Sequence, residues 1–600
     1  MPARESWRAV FYFKGMDVRP LRLITLAYIV IIILASRWWP PVTDPAAAAA
    51  NRPWIQALEK NLADNMSHGL SAETGALLRG IMLGEKTEIS RAVKEMFSNT
   101  GVMHILAVSG MNVGMVAVFF FFIFTRIFRL HRKPASLILI LVVILFGQVT
   151  GSQASVNRAV VMAIVGLVAV ILERDRDMLN SLCLAALLLL AYDPRNLFDI
   201  GFQLSFAATL GIVLFTPRIQ EWLKRTGKII SSTVAVTLGA QLAVTPLIIY
   251  YFHKFSLVSP LANLAVVPLV GVITVIGFSS YFLRIVFAPL GNLVIFVNHY
   301  LLLLLLAAVK FFDRWPYAFI YVAAPGVLAI VLYYGILWWW HKGYRRRYLA
   351  FGVAGLMALG LTRAGWPTDQ LRVSFIDVGQ GDSILVRLPD RSALLIDGGG
   401  GLRPDYNVGE RRVAPFLWSQ GVTGIDTVLL THAHYNHVQG LLAVLDRFKV
   451  REVIIPEFPA EDLRQDYMRE FMSGIKKKKI YLVIWRGGER ISWNDDLYLE
   501  NLGTPGMIVS RLVYKERSFL FTSDSAGCLA TGASVWQVPS HGKDLAGELP
   551  AAEYRVVSSR VIPADNRFLS TARDGTITFA SNGGDLQFSP LKISLPKRVK

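Results

Sequence analysis

Residues Val428–Leu441 read VLLTHAHYNHVQGL. An apolar run leads into Thr431, and His432, His434, Asn436 and His437 then fall within six positions. A buried strand ending in such a loop aims several imidazoles at one point, because residues two apart on an extended tip project to the same side. Imidazole is the commonest protein ligand for metals near neutral pH. A lone histidine is more often structural, but three within six residues behind an apolar run favour a metal site.

Around this loop, residues 370–600 alternate short apolar strands with turns: RVSFIDVG, SILVRL, ALLIDGG, DTVLLTH, EVIIP, YLVIW, FLFTSD and SVWQVPSHG. The helix LLAVLDRF follows the histidine loop directly. This pattern predicts stacked strands with helices outside them, and GDS and DGGG mark turns at strand ends. Only Cys183 and Cys528 are present, so neither a disulfide framework nor a cysteine-based zinc site is available.

The chain upstream is of another kind. Six hundred residues exceed one ordinary domain, and 53% hydrophobic with only 18% charged residues points to a membrane protein. The first apolar stretch, Leu23–Ser36, follows Arg4, Arg8, Lys14 and Arg19 and ends at Trp38 and Trp39. Small residues at 46–50 suit signal cleavage, but the tryptophan pair favours a spanning helix with an interfacial anchor. Residues 51–101 are polar to amphipathic, with Ile89, Val93 and Phe97 at helical spacing, and are expected on the outer membrane face. Further apolar runs at about 103–127, 135–150, 156–172, 180–192, 200–215, 229–251, 258–283, 290–311, 322–340 and 348–363 bring the candidates to eleven. The runs at 180–192 and 200–215 are short for a span and fit either re-entrant segments or one unit broken at Asp193-Pro194.

Loop charges orient the spans. With the N-terminus inside, basic residues such as Arg126, Arg129, Arg132 and Lys133, or Lys342 and Arg345–Arg347, fall on cytoplasmic loops. An odd count then places everything after Trp366 outside the cytoplasm. The net charge of +19 suits a partner with phosphates, although cytoplasmic loops and the tail KRVK supply much of it. Polar residues within the apolar runs, namely Ser109, Asn112, Arg158, Gln203, Gln241 and Asn263, mark either interhelical hydrogen bonds or a pathway.

At this point the chain resembles a family. THAHYNHVQGL is similar to the THxHxDHxGG loop of the metallo-β-lactamase fold, with Asn436 where the family has Asp. FIDVGQGDSILVRLPDRSALLIDGGG (Phe375–Gly400) resembles the opening strands of the ComEC competence proteins. Leu77–Gly114, SVNRAVVMA (Ser155–Ala163), DPRNLFDIGFQLSFAATLGI (Asp193–Ile212) and Ala240–Leu269 look like the competence domain in the family's order. The family often carries a small OB-like domain between its first helices and the competence domain, and here only a short helical stretch stands between Trp39 and Met103.

The resemblance implies a multi-spanning α-helical membrane domain followed by an α/β metallo-β-lactamase-like (αββα) domain. The expected divisions are 1–50 (basic segment and first helix), 51–101 (external amphipathic segment), 102–366 (channel) and 367–600 (extracytoplasmic hydrolase). It implies an inner-membrane channel importing single-stranded transforming DNA. It also implies work with a DNA receptor, cytoplasmic translocation proteins and further copies of the chain. It assigns His432 and His434 to one divalent ion, zinc or manganese, the Asn436/His437 pair to another, Asp524 as a bridge, and His541 as a further ligand. Asp377, Asp382 and Asp397 are expected to brace the loop, with turn stabilisation as their ordinary role. Asn436 brings a neutral amide where the family has a carboxylate, and Ser540 stands where a histidine is usual, so weak metal binding and a slow or silent nuclease are expected. Two other readings compete: a membrane-anchored ectoenzyme whose helices only tether it, and a degenerate relative without transport.

Overall fold

Local signals in the sequence set the helix ends. Ser71 accepts a hydrogen bond from the Thr74 amide and starts α2, which stops at Gly84 in the left-handed conformation (φ +81). Ser90 caps α3 in the same way. The computed structural model describes residues 25–32, 53–108, 110–151, 154–173, 177–343, 370–401, 406–524, 532–538, 551–558 and 568–591. The chain divides into two compact units, one formed by Met1–Tyr321 with Ile330–Leu349 and the other by Val322–Ala329 with Ala350–Lys600.

The first unit is helical. Its helices are α1 (Pro53–Met66), α2 (Ala72–Leu83), α3 (Arg91–Asn99), α4 (Gly110–Phe122), α5 (Arg132–Val149), α6 (Ala154–Ile171), α7 (Met178–Tyr192), α8 (Ile200–Trp222), α9 (Lys228–Phe252), α10 (Ser259–Val286), α11 (Ala288–Asp313) and α12 (Val327–Lys342). Among the described residues, six helices are long and apolar enough to cross a membrane, and two apolar helices are shorter. Large side chains such as Leu141 and Val118 stay exposed on these helices. That is the arrangement expected where lipid, not water, is the neighbour. Of the first expected helix, only residues 25–32 are described, and they are helical. The run at 348–363 lies outside the described residues.

One sequence expectation changes here. The run at 200–215 is not short: α8 extends to Trp222, carrying Pro217 within it. It is separated from α7 by a tight turn at Pro194–Phe198, where the Asp193 carboxylate accepts from the Arg195 amide and Asp199 from the Phe202 amide. Residues 53–99 form three helices, and α2 is buried almost all round. Its Leu77, Leu78 and Ile81 join a core with Val266, Val270 and Leu302 from α10 and α11. A second core lies between α8, α9 and α12, around Phe215, Ala235 and Leu337. Gly211 and Gly239 let α8 and α9 meet backbone to backbone: a Cβ at Gly211 would sit 2.4 Å from the Gly239 carbonyl. The loops before α10 and after α11 pair as a two-stranded ribbon, β1 (Lys254–Ser256) with β2 (Phe319–Tyr321).

The second unit is a sandwich of two sheets. The first sheet has the order β17-β16-β3-β4-β5-β6-β7-β8. Its strands are β3 (Leu371–Phe375), β4 (Ile384–Arg387), β5 (Ala393–Ile396), β6 (Gly424–Leu429), β7 (Lys449–Ile455), β8 (Tyr481–Ile484), β16 (Thr576–Ser581) and β17 (Leu586–Leu591). The second has the order β15-β14-β13-β12-β11-β10-β9. It comprises β9 (Arg490–Asn494), β10 (Leu497–Asn501), β11 (Ser510–Tyr514), β12 (Arg517–Phe521), β13 (Ala533–Gln537), β14 (Ala552–Val557) and β15 (Phe568–Ser570). Phe375, Ile396 and Leu429 of the first sheet meet Leu512, Phe519 and Phe521 of the second in one buried core. Helices α13 (Ala414–Ser419), α14 (Tyr435–Arg447) and α15 (Asp466–Lys478) belong to connections of the first sheet. Strands β5 to β8 run parallel there, and β12 to β15 run parallel in the second sheet. The C-terminal ends of β5 and β6 and that of β12 come together, and there the histidine loop lies.

Candidate metal centre

Asp397 closes β5 in the left-handed region (φ +55), an uncommon conformation for a residue with a side chain. From there its carboxylate organises the whole loop. One oxygen accepts from the Thr431 amide at 2.8 Å; the other accepts from the Thr431 hydroxyl at 2.6 Å and lies 2.8 Å from Nδ1 of His437. Thr431 also bonds Ser523, at 2.9 Å between hydroxyls, and so ties the end of β6 to the end of β12. Ser523 is itself left-handed (φ +49). Strained backbone at two adjoining strand ends, each held by several bonds, is a frequent mark of a functional site.

The imidazoles converge as the sequence predicts. His432 Nε2 and His434 Nδ1 are 2.9 Å apart, and the rings of His432 and His437 have centroids 4.1 Å apart. His437, in the first turn of α14, is fully buried, whereas His434 is two-thirds exposed. Asp524, just past β12, reaches all three: its Oδ2 is 3.3 Å from His432, 3.7 Å from His434 and 3.6 Å from His437. Two groups of potential ligand atoms result, His432–His434–Asp524 and Asp382–His437–Asp524, each with its atoms within 4.8 Å of one another. Asp524 is common to both. Buried imidazoles and carboxylates crowded in this way suit divalent cations, which bring the charge that the carboxylates need. The donor set therefore fits the expected metal.

Titration follows the same geometry. Burial pushes the His432 imidazole below its usual value. Burial also works against a charged His437, but Asp397 beside it, helped by Asp524 and Asp382, raises its pKa to about 10. Asp524 is desolvated too, yet hydrogen bonds from His432 and His437 hold its carboxyl well below the usual carboxylate range. With no cation present, a proton on His437 does part of a cation's work.

Asn436 is half-buried in the first turn of α14. Of the three expected braces, Asp397 holds the loop directly. Asp377 is paired with Arg412 at 2.7 Å. Asp382 lies in the second group of potential ligand atoms. Ser540 and His541 lie outside the described residues. Sequence reading passed over Ser523, although the TSD turn after an apolar strand is the signal that carries it.

The polar residues of the helical unit do not converge. Asn112 donates to the Ile81 carbonyl at 2.6 Å, joining α4 to α2. Arg158 donates to the Ser205 carbonyl at 2.6 Å and bonds Thr209, joining α6 to α8, and lies beside Gly110 of α4. Gln203 donates to the Leu197 carbonyl and accepts from Tyr251 at 2.8 Å. Asn263 bonds Ser259 one turn back. Gln241 lies within α9, where its carbonyl accepts from Thr245. Ser109 lies outside the described residues.

The family model for Competence protein matches residues 81–346, and that for the metallo-β-lactamase superfamily matches residues 376–543. The chain joins a competence domain to a metallo-β-lactamase-superfamily domain. The competence match runs from the end of α2 through α12, and the metallo-β-lactamase match holds the histidine loop. ComE operon protein 3 of Bacillus subtilis is 27% identical over 428 residues, covering 67% of this chain and 54% of that one. Competence protein ComA of Neisseria gonorrhoeae is 26% identical, covering 65% and 55%. An uncharacterised protein of Escherichia coli, YcaI, is 26% identical, covering 62% and 50%. The chain thus spans about half the length of the curated relatives it matches. Among solved structures, a diphosphatase of the PhnP family is 12% identical, covering 35% of this chain and 98% of that one, with a TM-score of 0.23, too low to carry an argument.

Proposed function

We propose that this chain is an inner-membrane component of DNA uptake in natural competence. In this reading the helical unit passes single-stranded DNA inward and the hydrolase-type domain lies outside the cytoplasm. The observation that carries the reading is the joining, in one chain, of a competence domain over 81–346 to a metallo-β-lactamase-superfamily domain over 376–543. A single catalytic domain needs only one anchor, and the six helices of spanning length among the described residues exceed that need. The basic loops favour an inside start, and with an odd number of crossings, as the eleven apolar runs of the sequence suggest, the hydrolase-type domain would lie on the side where DNA arrives.

The hydrolase-type domain is proposed to act on the phosphodiester backbone of the strand left outside. Divalent ions held by His432, His434, His437 and Asp524 would supply Lewis acidity toward a phosphodiester. The chain's own residues set the frame: Asp397 fixes His437, Thr431 and Ser523 lock the two sheets, and exposed His434 marks the open side. Asn436 supplies no carboxylate at a position where the family has one, so cleavage is proposed to be slow. A DNA receptor, cytoplasmic translocation proteins and further copies of the chain are the partners such a role requires.

The test is internalisation of labelled DNA by cells with and without this chain. The proposal expects surface binding to persist and nuclease-protected label to disappear when the chain is absent. Unchanged internalisation would leave the helices as a tether and favour the ectoenzyme.

A further inference from the structure

We infer that Asp382 is a metal ligand of this domain, and that it supplies from another loop the negative charge absent at Asn436. The inference rests on the reading of the site as a metal centre and names the residue that completes its second half.

The placement of Asp382 is fixed by backbone. It lies in the QGDS turn between β3 and β4, where the Gly399 amide donates to the Asp382 carbonyl at 2.7 Å and Gln380 bridges Gly400. This turn is pressed onto the first turn of α14. Gly381 has φ +79, and a Cβ there would stand 1.8 Å from the Asn436 carbonyl oxygen; a Cβ at Gly400 would stand 2.4 Å from the Asn436 Cα. Only glycine permits both contacts. The next residue after Gly381 is thereby delivered beside His437, 2% exposed, with a carboxylate oxygen within 4.8 Å of ligand atoms on His437 and Asp524.

The bracing of the histidine loop itself comes from Asp397, which bonds Thr431 twice and His437 once. Burying a second carboxylate near Asp524 and His437 brings repulsion that a divalent cation between them offsets more fully than a single imidazolium. One imidazole and two carboxylates also suit a hard divalent ion better than one imidazole, one carboxylate and an amide. The ion is thus retained at the second position, while no carboxylate remains at 436.

The experiment uses the full chain purified in detergent, stripped with chelator, titrated with manganese and then with zinc, and assayed for bound metal per protein. Wild type should take up two equivalents, Asp382→Asn about one, and Asp382→Asn/Asn436→Asp two again, because charge returns from the facing side. Two equivalents on Asp382→Asn would overturn the inference. So would one equivalent on wild type rising to two with Asn436→Asp alone, since 436 would then be the missing ligand. No metal on any variant would remove the metal centre itself, and the inference with it. Should Asp382→Asn fail to accumulate, Asn436→Asp alone decides. A site that already has its anion gains about tenfold or less in affinity, whereas a site lacking one gains on the order of a hundredfold.

Discussion

The helical unit and the sandwich both bury polar side chains, but they dispose of them differently. In the helices the polar residues singled out in the sequence bond separate carbonyls or hydroxyls: Asn112 the Ile81 carbonyl, Arg158 the Ser205 carbonyl, Asn263 Ser259. In the sandwich Asp382, Asp397, Thr431, His432, His437 and Asp524 are gathered at three strand ends, and several share partners. Local pairs hold helices together, whereas shared partners make a site. The contrast explains why a chemical centre can be named in one unit and a pathway cannot be traced in the other.

The contrast is sharpest where backbone meets backbone. Gly381→Ala would drive a Cβ into the Asn436 carbonyl, and neither side can move without dislodging α14. A loss of more than about 3 kcal/mol is expected, read as loss of folded protein and of all bound metal in the purified chain. Next comes Asp397→Ala, which leaves the Thr431 amide and His437 without their partner. It should cost about 3 kcal/mol, the scale of breaking a buried charged pair, and lower metal content together with thermal stability. If stability fell with metal content intact, the groups would not share their partners.

pH probes the same coupling. The raised pKa of His437, about 10, means that a cation entering its group must displace a proton. Metal affinity at that group should rise about tenfold per pH unit between 6.5 and 9, as followed by titration with manganese. In metal-free protein the sign is opposite. The protonated form stabilises the fold fully below the ordinary histidine value of 6.5, and this contribution is lost as pH rises toward about 10. A flat affinity profile would break the link between His437 and the metal.

The smallest effect is expected in the helices. Asn112→Leu should cost about 1 kcal/mol, because one interhelical hydrogen bond in a membrane is worth little, and its effect should add to that of Arg158→Leu. Strong non-additivity between these two, measured by thermal unfolding in detergent, would show that they belong to one network after all.

The sandwich was largely legible because its signals are local. The strands around FIDVG, ALLIDGG, DTVLLTH and FLFTSD are short apolar runs closed by Gly, Asp or Thr-His, and all form strands. The histidine loop packs three imidazoles into six residues, so strand spacing predicts that His432 and His434 meet, while the first turn of α14 brings His437 to them. Strands β9 to β11 were not picked out, although β10 and β11 alternate buried and half-buried residues as amphipathic strands do. Asp382 escaped as a ligand because its approach to His437 depends on glycines at 381 and 400 meeting a helix more than thirty residues away in sequence. In the helical unit the apolar runs marked the helices but not their ends, since a 200–215 run continues through Pro217 to Trp222 once its neighbours hold it. Which polar residue bonds which helix is a tertiary matter that periodicity does not encode.

The division of labour between the two units is tested most directly by following each strand of one duplex. Cells carrying the chain are given DNA labelled differently on its two strands, and the length and location of each label are measured. One label should be recovered inside as long single strands, and the other outside as long fragments that Asn436→Asp shortens. Double-stranded DNA inside, or equal shortening of the outer strand by wild type and Asn436→Asp, would contradict the account.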